Sequence, residues 1–97
     1  KPDVTPEMAR TNIDIGGPCM VRASAKNYLR VASLTDPADY QSIIDELNAN
    51  DATLGIETRF RLMRKAFRHT ADYDTAIASF FASALPETIK ATYEFQD

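Results

Sequence analysis

A glycine–glycine–proline step near the start of the chain, Gly16-Gly17-Pro18, constrains the fold more than any other feature of the sequence. Glycine accepts backbone bends that a Cβ atom would obstruct, and it lets a ligand approach main-chain N–H groups closely. Proline has its φ preset for the first turn of a helix, where its missing N–H would be unpaired anyway. The step therefore predicts a loop that feeds a helix from about Cys19 to Lys26, with an N-terminus receptive to an anion or a polar oxygen.

The composition limits the class of protein. The chain has 97 residues, which suits one domain or part of one, and its net charge of −3 disfavours nucleic-acid or anionic-membrane partners. Its single cysteine, Cys19, has no second cysteine in the chain to form a disulfide, which suits a reducing compartment. No apolar run is long enough to span a bilayer and no signal-peptide pattern opens the sequence, so we predict a cytoplasmic protein.

Hydrophobic spacing predicts the elements of the first half. Thr5 and Pro6 have the residue types of an N-cap and a first helical position, and Asp36-Pro37 repeats that pattern before an apolar stripe. The stripe consists of Tyr40, Ile43, Ile44 and Leu47. Residues 31–35 are short and mostly apolar, as a strand covered on both faces of a parallel sheet would be. Helix–strand–helix order with short loops is typical of an α/β domain.

The second half of the chain has a helical pattern almost throughout. Apolar residues at helical spacing begin near Ile56, and Thr70-Ala71-Asp72 is either a break or the capped start of a further helix. Pro86 is expected to end that helix, and residues 91–95 alternate as a short strand does. We therefore predict an α/β fold with a layered parallel sheet and flanking helices, of which this segment is the mostly helical part.

Several segments, taken in order, resemble the motifs of one family. The segments are Asp14-Ile15-Gly16-Gly17, Arg22-Ala23-Ser24-Ala25-Lys26-Asn27, Thr35-Asp36-Pro37-Ala38-Asp39-Tyr40, Glu57-Thr58-Arg59 and Ala66-Phe67-Arg68-His69-Thr70-Ala71-Asp72-Tyr73-Asp74. They resemble the IMP cyclohydrolase domain of the bifunctional AICAR transformylase/IMP cyclohydrolase family of purine biosynthesis. The resemblance runs from about Lys1 to about Phe81, and the twelve-residue step from Asp14 to Lys26 is the family's own.

The resemblance implies an architecture and a function. Residues 1–97 would form the C-terminal half of a cyclohydrolase domain with a methylglyoxal-synthase-like sheet, and no transformylase domain. The implied reaction is the hydrolase-class ring closure of formyl-AICAR to IMP with loss of water, which uses no metal or organic cofactor. The family's phosphate-binding loops lie upstream of the matched segments, so we expect the chain to be inactive alone. It would act as a homodimer or with the missing half of the domain.

The same resemblance implies the residues of the site. Lys26 matches the family's proton-transfer lysine, and Asp14 matches a carboxylate that would position or deprotonate the attacking nitrogen. Ile15 and Gly16 match backbone positions that touch the nucleotide, and Gly17 would let the loop turn. Together these residues would bind a purine ribonucleotide, formyl-AICAR or IMP.

Both charged residues also have simpler explanations. Asp14 would cap a helix, and Lys26 would be a solvated cation at a helix C-terminus. A straight helix would hold them about 13–18 Å apart, at a rise of about 1.5 Å per residue. Either the substrate spans that gap, or the loop folds back, or the two residues serve different parts of the substrate.

A run of cations leaves a second class of function open. The cations are Arg59, Arg61, Arg64, Lys65 and Arg68. Such a helix is typical of a non-catalytic interaction module or a nucleic-acid-binding module. The simpler explanation, which the net charge of −3 favours, is a solvated face whose cations form i, i+4 pairs with acids. Tyr28 stands where the family commonly has histidine, and His69, the only histidine, is given no catalytic role.

Overall fold

The computed structural model describes residues 3–93, and within that range the chain forms five α-helices joined by loops. The helices are α1 (Pro6–Thr11), α2 (Gly16–Lys26), α3 (Tyr40–Ala49), α4 (Ile56–Ala82) and α5 (Pro86–Tyr93), with a 3-10 turn at Pro37–Asp39. No strand occurs between residues 3 and 93. The expectation of a mostly helical segment is therefore confirmed.

The chain divides into two compact units. One unit is Ile15–Asp72, and the other combines Lys1–Asp14 with Tyr73–Asp97. Across the described part of both units, no helix is long and apolar enough to cross a membrane.

The unit that contains α1 and α5 is held by polar contacts between the two helices. The Thr5 hydroxyl accepts a hydrogen bond from the Met8 N–H at 3.1 Å, which confirms the predicted N-cap of α1. Arg10 donates to both carboxylate oxygens of Glu7, at 2.9 and 3.1 Å. The Tyr93 hydroxyl of α5 donates to the same carboxylate, and the Arg10 guanidinium lies 6.0 Å from the centre of the Tyr93 ring.

The core of the Ile15–Asp72 unit lies along one face of α4. Leu62 is 1% exposed and Ala66 is fully buried one turn later. Ala25 of α2 and Ile43 of α3 are the other buried apolar residues of the described chain. Alanine at two of these positions leaves room for close packing of helix backbones, and only Ile43 of the predicted stripe on α3 is buried.

Two hydrogen-bonded loops position the helices of this unit. The hydroxyls of Ser24 and Ser33 lie 2.6 Å apart and tie the segment after α2 back onto that helix. The Glu46 carboxylate of α3 accepts from the Gly55 N–H at 2.9 Å and from the Thr58 hydroxyl at 2.5 Å. Glu46 therefore supplies a partner for one main-chain N–H just before α4, that of Gly55, and for one side-chain hydroxyl in the first turn of α4.

Three predictions of secondary structure are wrong. Residues 31–36 form neither helix nor strand, because an extended segment becomes a strand only beside a partner, and the described chain offers none. The predicted strand at 91–95 is helical through Tyr93, and its last two residues lie outside the described range. Pro86 begins α5 rather than ending a helix, because proline suits the first helical position.

Helix α4 is continuous at the position where the sequence left a break possible. It runs without interruption from Ile56 to Ala82, so Thr70-Ala71-Asp72 is neither a break nor a new start. The Thr70 side chain is 3% exposed, and its hydroxyl donates to the Phe67 carbonyl at 3.1 Å. A hydroxyl that bonds back to its own helix needs no cap role.

Candidate functional site

The glycine step lies inside the first turn of α2. The helix begins at Gly16, three residues earlier than predicted, and Ile15 at its N-cap has helical φ and ψ of −96° and −45°. No described glycine has a positive φ, so the step does not serve a left-handed turn. A Cβ built on Gly16 would meet nothing within 4 Å. The space beside the Gly16 Cα is therefore empty in this structure.

Asp14, just before this helix, is fixed through its main chain. Its N–H donates to the Tyr73 hydroxyl at 2.8 Å, and both residues belong to the unit that contains α1 and α5. The Asp14 residue is exposed. The hydrogen bond sets the backbone at a predicted site residue from a position 59 residues away in the sequence.

Lys26 is the last residue of α2 and is exposed. The next residue, Asn27, closes the helix by donating its N–H to the Ser24 carbonyl at 3.0 Å. A cation in the last turn also complements the negative end of the helix dipole. Within the described chain, then, Lys26 has the position expected both of a solvated helix-terminal cation and of a proton donor waiting for a substrate.

The structure brings only part of the predicted site together. Ile15, Gly16 and Gly17 are adjacent at one end of α2, and Lys26 lies at the other end, about 15 Å along the axis at 1.5 Å per residue. A ligand that touches both ends must therefore be extended. Among residues 3–93 no group of three or more potential metal ligands occurs.

Tyr28 has a packing role in this structure. Its ring lies edge-on to the Phe60 ring, with centroids 5.5 Å apart. Its carbonyl accepts a hydrogen bond from Arg59 Nε at 3.1 Å, and Arg59 also donates to the Leu54 carbonyl at 3.0 Å. Arg59 therefore connects the turn after α2 to the beginning of α4.

Two further cations of the basic run have acidic partners, which supports the simpler explanation for them. Lys65 Nζ lies 2.6 Å from Asp39 Oδ2 and 3.3 Å from Asp36 Oδ2, and Arg61 lies 3.3 Å from Asp39 Oδ1. These acids come from the 3-10 turn and its cap rather than from i, i+4 positions on α4. The pairs therefore connect α4 to the beginning of α3.

These contacts shift the pKa values of the groups. Hydrogen bonding to Lys65 is the main cause that lowers the pKa of Asp39, and the pKa of Lys65 is raised by the same bond. The pKa of Asp36 is lowered first by the N–H of Ala38, 2.9 Å away, and then by Lys65. All three groups are therefore held in their charged forms.

A pocket of about 760 Å³ lies on the same face of α4 and was not predicted. It is lined by Thr35, Asp36, Arg61, Arg64, Lys65, Arg68, His69 and Asp72. The signal was present in the sequence, because the α4 members of this set recur at helical spacing and so share one face. The sequence pattern did not predict that Thr35 and Asp36 would form the other wall of the pocket.

Comparison with known proteins identifies the family. The family described as AICARFT/IMPCHase bienzyme matches residues 24–97. The bifunctional purine biosynthesis protein PurH of Neisseria meningitidis is 50% identical over 94 residues, which cover 97% of this chain and 18% of the relative. PurH of Streptococcus mutans is also 50% identical, over 99% of this chain and 19% of the relative. The chain thus spans about a fifth of the length of these curated relatives.

A solved structure gives an independent comparison. The crystal structure of ForH matches with a TM-score of 0.70 and 34% sequence identity, over 80% of this chain and 44% of that one. The agreement covers most of the helical arrangement described above. The family matches three-quarters of the residues, and the PurH proteins are 50% identical over nearly the whole chain. The chain therefore belongs to the AICARFT/IMPCHase bienzyme family of purine biosynthesis enzymes.

Proposed function

We propose that the protein containing this chain is an IMP cyclohydrolase that closes the second ring of formyl-AICAR to give IMP and water. The observation that carries the proposal is the 50% identity to PurH proteins across the segment that holds Asp14, the glycine step and Lys26. The chain would supply part of the nucleotide site, and the rest would come from other segments of the protein or from a second subunit.

The reaction needs geometry and proton transfer. The carboxamide nitrogen attacks the formyl carbon of the same molecule, a C–N bond forms, and the formyl oxygen leaves as water. Because both reacting groups belong to one substrate, holding the reactive rotamer supplies a large part of the rate enhancement. The attacking carboxamide nitrogen and the formamide nitrogen each lose one proton, and the departing oxygen gains two as its bond to the formyl carbon breaks. Positioned side chains contribute about 10²–10⁴-fold to such proton transfers.

Lys26 is proposed as the group that exchanges a proton with the substrate. It is exposed at the end of α2, and its ammonium can donate to the departing oxygen. Asp14 is proposed to orient or deprotonate the attacking nitrogen. The open main chain at Gly16, with Ile15 and Gly17, would receive the polar edge of the nucleotide.

The proposal also includes the complete fold. Residues 31–36 form neither helix nor strand in the described chain. We propose that the whole domain contains a layered parallel sheet of the methylglyoxal-synthase-like type, whose strands come from outside the described residues.

The test is turnover by the intact protein as its natural source makes it. Conversion of formyl-AICAR to IMP is followed by chromatography for the natural protein and for Lys26→Ala, Asp14→Asn and Arg30→Ala. We expect Lys26→Ala to lower kcat by about 10²–10⁴-fold, because a general acid is lost. Arg30→Ala is the matched control, since Arg30 is an exposed cation four residues later and has no proposed role.

Two outcomes would contradict the proposal. One is a Lys26→Ala protein that turns over within twofold of the natural one, and the other is an intact protein without any turnover. The 97-residue chain is assayed in parallel and is expected to be inactive, because the family's phosphate-binding loops match no part of it. Activity of that chain alone, abolished by Lys26→Ala, would keep the site assignment and overturn only the need for further segments.

A further inference from the structure

Arg64 and Arg68 differ from the other cations of the basic run. Three cations of the run already bond to carbonyl or carboxylate oxygens, namely Arg59, Arg61 and Lys65. Arg64 and Arg68 are exposed, and no hydrogen bond or ion pair of theirs occurs in the described part of the chain. They lie four residues apart on α4, so their side chains leave the helix about 5–6 Å from each other.

Arg64 and Arg68 line two grooves of the Ile15–Asp72 unit. On one side they line the 760 Å³ pocket that also contains His69. On the other side they line a groove of about 390 Å³ with Met63, Phe67 and Ala71. One groove is therefore cationic and the adjoining one is apolar, with both guanidinium groups at the border.

The charge of this region is opposite to that of the chain. Four cationic side chains and two carboxylates line the larger pocket, whereas the whole sequence has a net charge of −3. One of those carboxylates, Asp36, is already engaged by Lys65. An anion that enters the pocket would therefore meet two guanidinium groups that make no ion pair in the described chain, with His69 and the Asp72 carboxylate in the same lining.

We propose that Arg64 and Arg68 bind the phosphate group of a small phosphate monoester, whose apolar portion lies in the groove along Phe67. Guanidinium groups suit this ligand because each presents a planar pair of N–H donors to two oxygens of a phosphate. Two of them balance the two charges of a monoester at neutral pH. Neither Asp14 nor Lys26 lines the two grooves, and the inference does not depend on the proposed function.

A nucleic acid is the less favoured occupant. Non-specific binding to a nucleic-acid backbone requires several uncommitted cations along an extended surface. Three of the five cations in the run have protein partners, which leaves a pair that fits one phosphate group.

The first experiment maps ligand protection of single arginines. The intact natural protein is treated with phenylglyoxal, which modifies arginine, in the presence of inorganic phosphate, phenyl phosphate or chloride at equal ionic strength. Mass spectrometry then gives the modification rate of each arginine. We expect both phosphate probes to slow modification of Arg64 and Arg68 at least threefold relative to chloride, with phenyl phosphate effective at lower concentration. Arg30, exposed and outside both grooves, is the internal control and should be unaffected.

The second experiment measures affinity in variants. Calorimetric titration with phenyl phosphate is made on the natural protein, on Arg64→Gln/Arg68→Gln and on Arg30→Gln. The double variant should bind at least tenfold more weakly at this site, and Arg30→Gln should bind within twofold of the natural protein. Arg64→Lys/Arg68→Lys keeps the charge but loses the paired donors, and we expect intermediate affinity, with folding of each variant checked by circular dichroism.

Four outcomes would overturn the inference. These are equal protection by chloride and phosphate, protection by an RNA oligomer but by neither phosphate probe, equal potency of inorganic phosphate and phenyl phosphate, and arginines that are unreactive before any ligand is added. Loss of turnover in Lys26→Ala with normal phosphate protection at Arg64 would leave the inference intact. The failure of one proposal is thus distinguishable from the failure of the other.

Discussion

The main-chain N–H of Asp14 donates a hydrogen bond to the hydroxyl of Tyr73, 2.8 Å away. One residue precedes the glycine-led helix α2, and the other lies in the C-terminal part of α4. This contact is the described link between the backbone at a proposed site residue and the long helix. This hydrogen bond gives Tyr73 a structural role that requires no contact with a substrate.

Removal of that hydroxyl should loosen the backbone at Asp14. We expect Tyr73→Phe to lower the free energy of unfolding by about 0.5–1.5 kcal/mol, the usual contribution of one hydrogen bond, and to speed hydrogen exchange at the Asp14 amide. Denaturant unfolding and amide exchange measure the two effects. Tyr40→Phe is the control, because Tyr40 is 51% exposed. An unchanged exchange rate at Asp14 would show that the bond does not hold this segment.

The ion pair of Lys65 and Asp39 predicts a dependence of stability on pH. Because the pKa of Asp39 is lower in the folded chain, chiefly through Lys65, the pair stabilises the fold above the carboxyl's unfolded value of about 3.9. That stabilisation is lost as the pH falls through the lowered folded value. The urea midpoint of the natural protein should therefore fall on acidification below about pH 4.

Two variants of α3 and its leading turn test the pH prediction. Asp39→Asn removes the nearer of the two titrating partners of Lys65, so its urea midpoint should be lower at neutral pH and should change less on acidification. Asp45→Asn is the control, because Asp45 bonds only to the neutral Gln41 amide, at 2.8 Å, among the described hydrogen bonds. If Asp39→Asn shows the same acid dependence as the natural protein, the pair is not its source.

The loop after α3 contains backbone strain that a glycine should relieve. Asp51 and Ala52 have φ values of 60° and 63°, a region where a Cβ atom costs roughly 1–2 kcal/mol. Glycine loses more conformational entropy on folding, so the expected net gain of Ala52→Gly is smaller, up to about 1 kcal/mol. Thermal or denaturant unfolding measures it. Ala49→Gly, at the end of α3, should instead destabilise, and equal effects of both changes would contradict the strain.

The buried face of α4 gives the largest expected change in stability. Leu62 is 1% exposed, so Leu62→Ala removes apolar contacts and leaves a cavity, which costs about 2–5 kcal/mol. Leu85 is 62% exposed, and Leu85→Ala should change the free energy of unfolding by less than about 0.5 kcal/mol. Denaturant titrations compare the two variants. A loss below about 1 kcal/mol at Leu62 would mean that this face is not the centre of the core.

The sequence predicted the local chemistry of the chain well. The cap of α1 by Thr5, the helix after the glycine step and the amphipathic character of α4 all follow from residues near one another in sequence. Predictions failed where a distant partner was needed. Residues 31–36 lacked a strand neighbour, and only Ile43 of the apolar stripe predicted on α3 is buried.

The prediction of the proposed site also depended on groups that lie far away in the sequence. Motifs identified Asp14, Gly16 and Lys26, but their side-chain roles stay predictions because a substrate must be present to connect them. The pocket beside Arg64 was missed, although the spacing of its α4 residues was visible. A helical face becomes a pocket only when another segment supplies the opposite wall, and no local pattern predicts that segment.

By itself, the sequence determined the helices before α4, the caps at Thr5 and Asp36, and the family, because hydrogen bonding within a helix and motif chemistry act over a few residues. Only the tertiary structure decided which cations are paired and which remain exposed. Arg61 and Lys65 meet Asp39, whereas Arg64, on the neighbouring part of the same helix, meets no described acid. The physical reason is that charge pairing depends on distances of a few ångströms between elements far apart in the chain, and those distances exist only after the helices have packed.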